Sequence, residues 1–263
     1  MLLFFDIDGT IFDEERRLPA SVKPAMEKAR ENGHRLFINT GRTLCNMGDE
    51  RLASLPFDGR IMGCGTRIEY HGETMQALEA DTELSERLRD MIRTLALPVV
   101  YECDTGIYYD PETPSHPEVT GFRAFSDHWG ISRDIRTGDP EFRMVKMFVF
   151  TDDAAAVRRL EAETAALGFP YCAVDRGHSS WEMIPAGYTK ATGMETLCRI
   201  LGTDIRDTVA FGDSTNDRDM LRRAGISVAM GNAPDEVKAE CTLVTERPEE
   251  DGIRRAMEKL KLI

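Results

Sequence analysis

The 263-residue chain contains no cysteine pair at C-x-x-C spacing. Its six cysteines, at 45, 64, 103, 172, 198 and 241, are scattered. That pattern reads as six reduced, mostly buried thiols in a cytoplasmic protein. Positive charge is scarce: 33 Lys and Arg stand against 46 Asp and Glu, a net charge of −13. A chain so acidic is soluble and poorly suited to nucleic acid or an anionic membrane. Any anionic substrate has to be drawn by a local site. No stretch approaches the roughly 20 apolar residues of a membrane span. The apolar opening Met1–Phe5 is too short for a signal segment and has no basic residues before it. No internal repeat or low-complexity tract occurs, and the five histidines show no metal-ligand spacing.

What is present is ordinary globular composition, 41% hydrophobic and 30% charged, with length for a large core. Leu2–Phe5 reads as a strand buried on both faces, the parallel-sheet type. Val22, Met26 and Ala29 form one helical stripe ahead of Gly33, and Leu36-Phe37-Ile38 is the next strand. A helix is expected around Leu44–Leu55, then a third strand from Arg60. This alternation predicts a doubly wound parallel sheet, in which ligands bind beyond the carboxyl ends of the strands. From about Asp81 the rhythm changes. A helix, a hairpin-like pair (99–102 and 106–109), a strand over 143–151, a helix over 154–167 and a strand pair over 171–184 follow. From Pro185 the first rhythm returns, with a helix from Lys190 and strands at 208–211 and 226–229. The expectation is an α/β fold: a Rossmann-like core from residues 1–81 and 185–263, interrupted by an α+β cap at 82–184.

Asp6 and Asp8, in Asp6-Ile7-Asp8-Gly9-Thr10, follow the first strand. In extended chain, residues two apart face the same way, so both carboxylates are expected to face one spot. Gly9 lets the chain turn there. Asp213 stands just past the strand at 208–211, and Asp217 lies four residues on in Gly212-Asp213-Ser214-Thr215-Asn216-Asp217. Carboxylates converging at one place demand a cation, and an all-oxygen donor set points to Mg²⁺. Lys190 opens a helix and can reach the sheet edge. Thr40 supplies a hydroxyl and Gly41 a backbone N–H at the end of the second strand. A dication and a lysine would accept a phosphate dianion. The chemistry expected is attack by Asp6 on phosphorus, with Asp8 protonating the departing oxygen and then activating water. Lys190 and Thr40 would hold the equatorial oxygens.

The motifs at 6–10, 39–42 (Asn-Thr-Gly-Arg) and 212–217, with Lys190 between the last two, resemble those of the haloacid dehalogenase superfamily. Their order, and an insert between Arg42 and Lys190, resemble its Cof-type branch with a large α/β cap, over essentially the whole chain. The resemblance implies a Mg²⁺-dependent phosphatase of small phosphorylated metabolites, often sugar phosphates, with a mobile cap that closes over the site. By match, Asp6 is the nucleophile, Asp8 the acid/base and a backbone ligand, and Asp213 the third metal ligand. Asp217 supports the metal indirectly and Asn216 contacts phosphate. The chain departs from the branch at Cys64, where Asn is usual. A phosphomutase or phosphotransferase on the same core, and a non-catalytic phospho-ligand binder, are the alternatives. Oligomeric state is not legible.

One rival motif runs from Cys45 to Arg51 and fits C-x-x-G-x-x-R, the cradle of cysteine-dependent phosphatases. Asp49 and Glu50 inside it would repel a phosphate. Trp129 and Trp181 are expected to be packing residues and not substrate platforms, and His178 to sit at a hairpin tip.

Overall fold

The structure is a computed structural model describing residues 1–263. In chain order the elements begin with β1 (Leu2–Phe5), α1 (Val22–Glu31), β2 (Arg35–Asn39), α2 (Glu50–Ala53), β3 (Gly59–Met62), β4 (Arg67–Tyr70) and β5 (Glu73–Ala77). Next come α3 (Thr82–Leu95), β6 (Val99–Cys103), β7 (Ile107–Tyr109), α4 (Pro117–His128) and β8 (Ser132–Asp134). β9 (Met144–Phe150), α5 (Ala154–Ala166), β10 (Tyr171–Asp175) and β11 (Ser180–Pro185) follow. The chain ends with α6 (Lys190–Ile200), β12 (Thr208–Gly212), α7 (Arg218–Arg223), β13 (Ile226–Ala229), α8 (Asp235–Lys238), β14 (Leu243–Val244) and α9 (Gly252–Lys259). None of the helices is long and apolar enough to cross a membrane.

The chain divides into two compact units. One comprises Met1–Gly41, Gly48–Ala77 and Tyr188–Ile263; the other comprises Arg42–Met47 and Leu78–Gly187. The first holds an eight-stranded sheet in the order β14-β13-β12-β1-β2-β3-β4-β5. Strands β14 to β3 run parallel, and β4 and β5 fold back antiparallel at one edge. That antiparallel pair was not legible in the sequence. From β1 the chain winds to β2 and β3 on one side, and from β12 to β13 and β14 on the other. The strand order therefore reverses at β1 and β12, where a doubly wound sheet opens a crevice. All four residues of β1 are buried, as its unbroken apolar run demands. Phe4 stacks on Phe37 at 5.4 Å and Phe5 on Phe211 at 4.6 Å between ring centres. Leu2, Phe4 and Phe37 share a cluster with Met194 and Leu197 of α6 and Met220 and Leu221 of α7. Truncating such a ring to alanine costs about 3–5 kcal/mol, so the strand end carrying Asp6 is held firmly.

The expected helix over Leu44–Leu55 is instead a 3₁₀ turn at Leu44–Met47 and the single turn of α2. Asp49 breaks it, in extended conformation, with its side chain capping α2 at Arg51 N. The two pieces belong to different units. Cys45 packs with Val100, Ile107, Tyr109 and Phe150, and Leu44 N donates to Asp104 Oδ1 at 3.3 Å, so Arg42–Met47 folds with the second unit.

The second unit holds a six-stranded sheet in the order β10-β11-β9-β6-β7-β8, antiparallel except for β7 and β8. Its α4 was missed in the sequence. The helix buries only Ser126 fully, so it carries a faint apolar stripe. Trp129, at its end, is 42% exposed and lies against Phe125, 6.4 Å between ring centres. Trp181 packs on the cluster around Tyr101 and Met147 and donates from Nε1 to Thr151 O at 3.0 Å. His178 lies in the turn between β10 and β11 with φ of 50°.

One face of this sheet carries a buried charge cluster. Lys146 Nζ lies 2.6 Å from Glu182 Oε1 and 3.1 Å from Glu102 Oε2, and Arg176 also binds Glu182. Burial alone pushes Glu182 up, but Lys146 and Arg176 outweigh it and hold the carboxyl at about 2. Burial pushes Glu102 above the usual range in spite of Lys146. A carboxyl depressed on folding stabilises the fold above its unfolded value of roughly 4.5, and that stability is lost as pH falls toward 2. Glu182→Gln is therefore expected to lower unfolding free energy at pH 7, with the gap to wild type shrinking by about 3 kcal/mol as pH falls from 5 to 2. Urea unfolding across that range measures it, and a gap independent of pH would contradict it.

Candidate active site

Asp6 directly follows β1. Its N–H donates to Phe211 O at 3.0 Å, which continues the ladder to β12 for one residue. The chain then turns at once: Ile7 O accepts from the N–H groups of Ile11 and Phe12 at 3.0 and 2.9 Å. The backbone past Asp6 is therefore a turn and not extended strand, so strand alternation is not what relates Asp8 to Asp6. Asp6 is 5% exposed, while Asp8 lies in the turn with its side chain exposed. The carboxylates that converge are Asp6, Asp213 and Asp217, with oxygen atoms all within 4.8 Å of one another. Asp8 stays near enough for its charge to act on Asp6.

Gly9 is what lets the two loops meet. Its φ is +79°, and a Cβ there would lie 2.2 Å from Asp213 Oδ2. Thr10 then reaches across, its Oγ1 donating to Asp213 Oδ1 at 2.9 Å. Asp213 follows β12 and Asp217 lies in the short turn before α7. Asp217 is fully buried and both its oxygens are engaged. Oδ1 accepts from Lys190 Nζ at 2.7 Å; Oδ2 accepts from Asp213 N and Ser214 N, both at 3.0 Å, and from Ser214 Oγ at 3.2 Å. With those donors filling it, Asp217 is built to hold the lysine and the Asp213 loop. Asn216, half-buried, accepts from Ser214 Oγ.

Lys190 opens α6. Thr189 caps the helix, accepting from Thr192 N at 3.1 Å, and Thr192 Oγ1 accepts from Thr189 N at 2.9 Å. A Cβ on Gly193 would lie 2.9 Å from Gly65 Cα and 2.6 Å from Ile61 Cγ2, so only glycine lets α6 press onto the end of β3. Lys190 is 2% exposed, and its Nζ stands 2.7 Å from Asp6 Oδ1 as well as from Asp217 Oδ1. Thr40 is buried at the carboxyl end of β2, its N–H donating to Ile61 O at 2.9 Å and its carbonyl accepting from Cys64 N at 3.1 Å. Gly41 beside it is half-buried. Cys64 has φ of 56°, left-handed backbone in which Asn is better tolerated.

Three carboxylates face one ammonium. Burial and then the Asp217 charge push Asp6 up to about 7 in spite of Lys190. Burial and the charges of Asp6 and Asp217 push Asp213 up to about 8. Lys190 is pushed the other way to burial's effect, above its ordinary value, by Asp217 and Asp6, so it stays charged. The cluster thus carries more carboxylate than its one cation stabilises. Hard oxygen donors around uncompensated negative charge fit a divalent cation of the Mg²⁺, Mn²⁺ or Ca²⁺ kind.

Three site residues were missed in the sequence. Thr10 stands inside a motif read for its aspartates. Asn39 is fully buried, its Nδ2 donating to Lys190 O at 2.9 Å. Asn232 follows β13, its Nδ2 donating to Gly9 O at 3.0 Å. A polar residue just past a parallel strand was the available signal for the last.

The rival cysteine motif does not assemble. Burial pushes the Cys45 thiol up to about 12, and Arg51 is spent on Asp49 and on Arg16 O. A thiol so raised is no nucleophile at neutral pH.

Acidic loops and a lysine bound to them stand at the switch point of a doubly wound parallel sheet, where such folds place their ligand sites. The chain belongs to the haloacid dehalogenase-like hydrolases, whose family model matches residues 3–257. It is 30% identical over 264 residues to "Putative phosphatase YkrA" of Bacillus subtilis (strain 168), covering 100% of this chain and 98% of that one. It is 29% identical to the HMP-PP phosphatase of Klebsiella pneumoniae (strain 342), over 91% of this chain and 87% of that one. Among solved structures, the subclass IIB sugar phosphatase BT4131 superposes with a TM-score of 0.76 at 26% identity, over 100% and 99% of the two chains. The chain is accordingly a phosphatase of this superfamily.

Gly9→Ala forces a methyl group onto Asp213 in a backbone region that L-residues avoid. It is expected to lower kcat/KM for an aryl phosphate by about 100-fold or more, since displacements near 1 Å can cost that much. Cys45→Ser is expected to leave turnover within roughly twofold of wild type, because the thiol takes no part. Steady-state assays decide both.

Proposed function

We propose that the protein is a Mg²⁺-dependent phosphatase that hydrolyses phosphomonoesters of small metabolites through an aspartyl phosphate. The observation that carries this reading is the Lys190 ammonium, 2.7 Å from Asp6, within a cluster of oxygen donors short of positive charge. Asp6 and Asp213, with the carbonyl of Asp8, would hold the ion. When bound, the dication offsets the repulsion between carboxylate and phosphate and stabilises charge on the transferring group.

The chain's own residues perform the rest. Asp6 attacks phosphorus, forming its O–P bond as the ester O–P bond breaks. Lys190, 2.7 Å from Asp6 Oδ1, orients that carboxyl and neutralises equatorial oxygens, aided by the Thr40 hydroxyl and the Gly41 N–H. We assign Asn216 a contact to the same group. Asp8, exposed where Asp6 is buried, gives its proton to the departing oxygen, then takes one from the water that cleaves the aspartyl phosphate. Asp217 holds Lys190 in register throughout.

Sugar phosphates are the substrate class we favour. A full-length neighbour at 26% identity is a sugar phosphatase, and relatives at 29% are HMP-PP phosphatases, so compact phosphorylated metabolites are the common ground. We assign choice of leaving group to the second unit. All six cysteines are free thiols, which supports a cytoplasmic setting.

Asp6→Asn is expected to abolish Mg²⁺-dependent release of phosphate and the acid-stable trapping of labelled phosphate on protein. Asp8→Asn is expected to slow turnover by about 10²–10⁴-fold and to let the labelled enzyme accumulate. The assay is quench-flow with a radiolabelled sugar phosphate, drawn from a panel screened with and without Mg²⁺. Near-wild-type turnover in Asp6→Asn would remove Asp6 as the nucleophile. An isomerised sugar phosphate in place of free phosphate would make the protein a mutase.

A further inference from the structure

Asn232 is absent from the motifs that mark the site, yet it touches both of the loops that form it. It sits in the loop after β13, in the unit that holds the eight-stranded sheet. The loop is itself anchored, Met230 N donating to Gly212 O at 3.0 Å and Gly231 N to Glu246 O at 3.1 Å. From there the Asn232 side chain spans to the first strand's loop. Nδ2 donates to Gly9 O at 3.0 Å and lies 3.4 Å from Asp213 Oδ2. An amide nitrogen carries two protons, so it serves both acceptors at once. The opposite orientation would set Oδ1 against two oxygens, which fixes the side chain as a donor here.

The other end of the amide is informative. Asn232 Oδ1 is buried and has no hydrogen-bond partner. The hydrogen bonds that this side chain makes within the protein therefore all come from its donor end. The other oxygen of Asp213, Oδ1, accepts from Thr10 Oγ1 at 2.9 Å. Asp213 is thus held on both oxygens, by Thr10 from the first loop and by Asn232, which also grips that loop through the Gly9 carbonyl. Gly9 and Asp213 already stand so close that no side chain fits between them.

We propose that Asn232 is a positioning residue that clamps the Gly9 peptide to Asp213 and thereby sets the affinity of the carboxylate cluster for its dication. The proposal rests on the reading of the cluster as a dication site. Asn232 acts through Asp213 and the first loop, and takes no part in bond making. Outer-shell hydrogen bonds to metal ligands commonly govern affinity by about 10–100-fold.

The test is thermal unfolding of the full-length protein under a Mg²⁺ titration, alongside steady-state kinetics with p-nitrophenyl phosphate. Wild type is expected to gain melting temperature with Mg²⁺ along a saturable curve. Asn232→Ala is expected to unfold within a few degrees of wild type without Mg²⁺, and to need about tenfold more Mg²⁺ for half of its rise. At saturating Mg²⁺ its KM for p-nitrophenyl phosphate is expected to match wild type, with kcat restored to within about threefold. Asn232→Ser, whose hydroxyl is too short to span both acceptors, is expected to shift the Mg²⁺ midpoint in the same direction. A merely structural residue would lower the melting temperature equally at every Mg²⁺ concentration and leave the midpoint unmoved; that result overturns the proposal. So does failure of both variants to fold under conditions where wild type folds. A wild-type protein that does not respond to Mg²⁺ would overturn the dication reading itself, and the proposal with it.

Discussion

The Lys190 ammonium, held between Asp6 and Asp217, is the interaction around which the site is arranged. A buried cation with one carboxylate would be a local pair; here it serves two, both at 2.7 Å. Asp217 is consumed by that task and by the backbone of its own loop. Asp6 is left facing a deficit of positive charge, and Asp213 beside it adds to the deficit. The arrangement is stable only as part of something larger, because uncompensated charge in a buried setting is expensive. That incompleteness is what makes the cluster useful. A site that must acquire positive charge to be at rest also accepts a phosphate once the charge has arrived.

The scaffold serves this pair from several directions. The Asp6 strand is fixed by aromatic stacking on both faces. The Asp213 strand lies beside it in parallel register, Phe5 opposite Phe211. The lysine comes from a helix whose first turn is capped by Thr189 and pressed onto β3 through Gly193. Asn39 holds the Lys190 carbonyl. Lysine is a poor choice for the first turn of a helix on local grounds, since the helix dipole disfavours a cation there. Placing a buried lysine at that position breaks the local rule for the sake of the site, as functional residues do.

The charge cluster of the second unit makes a useful contrast. Lys146 and Arg176 meet Glu102 and Glu182, so opposite charges are matched in number, and Glu182 is held low in its titration. In the first unit three carboxylates share one ammonium, and Asp6 and Asp213 are pushed up. Both clusters are buried, and both were invisible as clusters in the linear chain.

Strand identity, the parallel order of the first unit and the acidic loops at strand ends were legible because each depends on residues close in the chain: an unbroken apolar run, then aspartate and glycine. The same local logic failed where a neighbour decided the outcome. Asp49 caps a new helical turn and splits the expected helix at 44–55, and α4 is held by an amphipathic stripe too faint to read. The facing of Asp6 and Asp8 was inferred from strand geometry that ends at Phe5. Its replacement by a turn leaves one acid buried and the other exposed. Asp6, Asp8, Asp213, Asp217 and Lys190 could be named from the chain, because ionisable residues past strand ends need an explanation. That oxygens of Asp6, Asp213 and Asp217 converge, that Asp217 spends itself on the lysine, and that Asn232 ties Gly9 to Asp213 were settled only by tertiary structure. Those contacts join residues up to 223 positions apart, and no local pattern encodes a distance across that much chain.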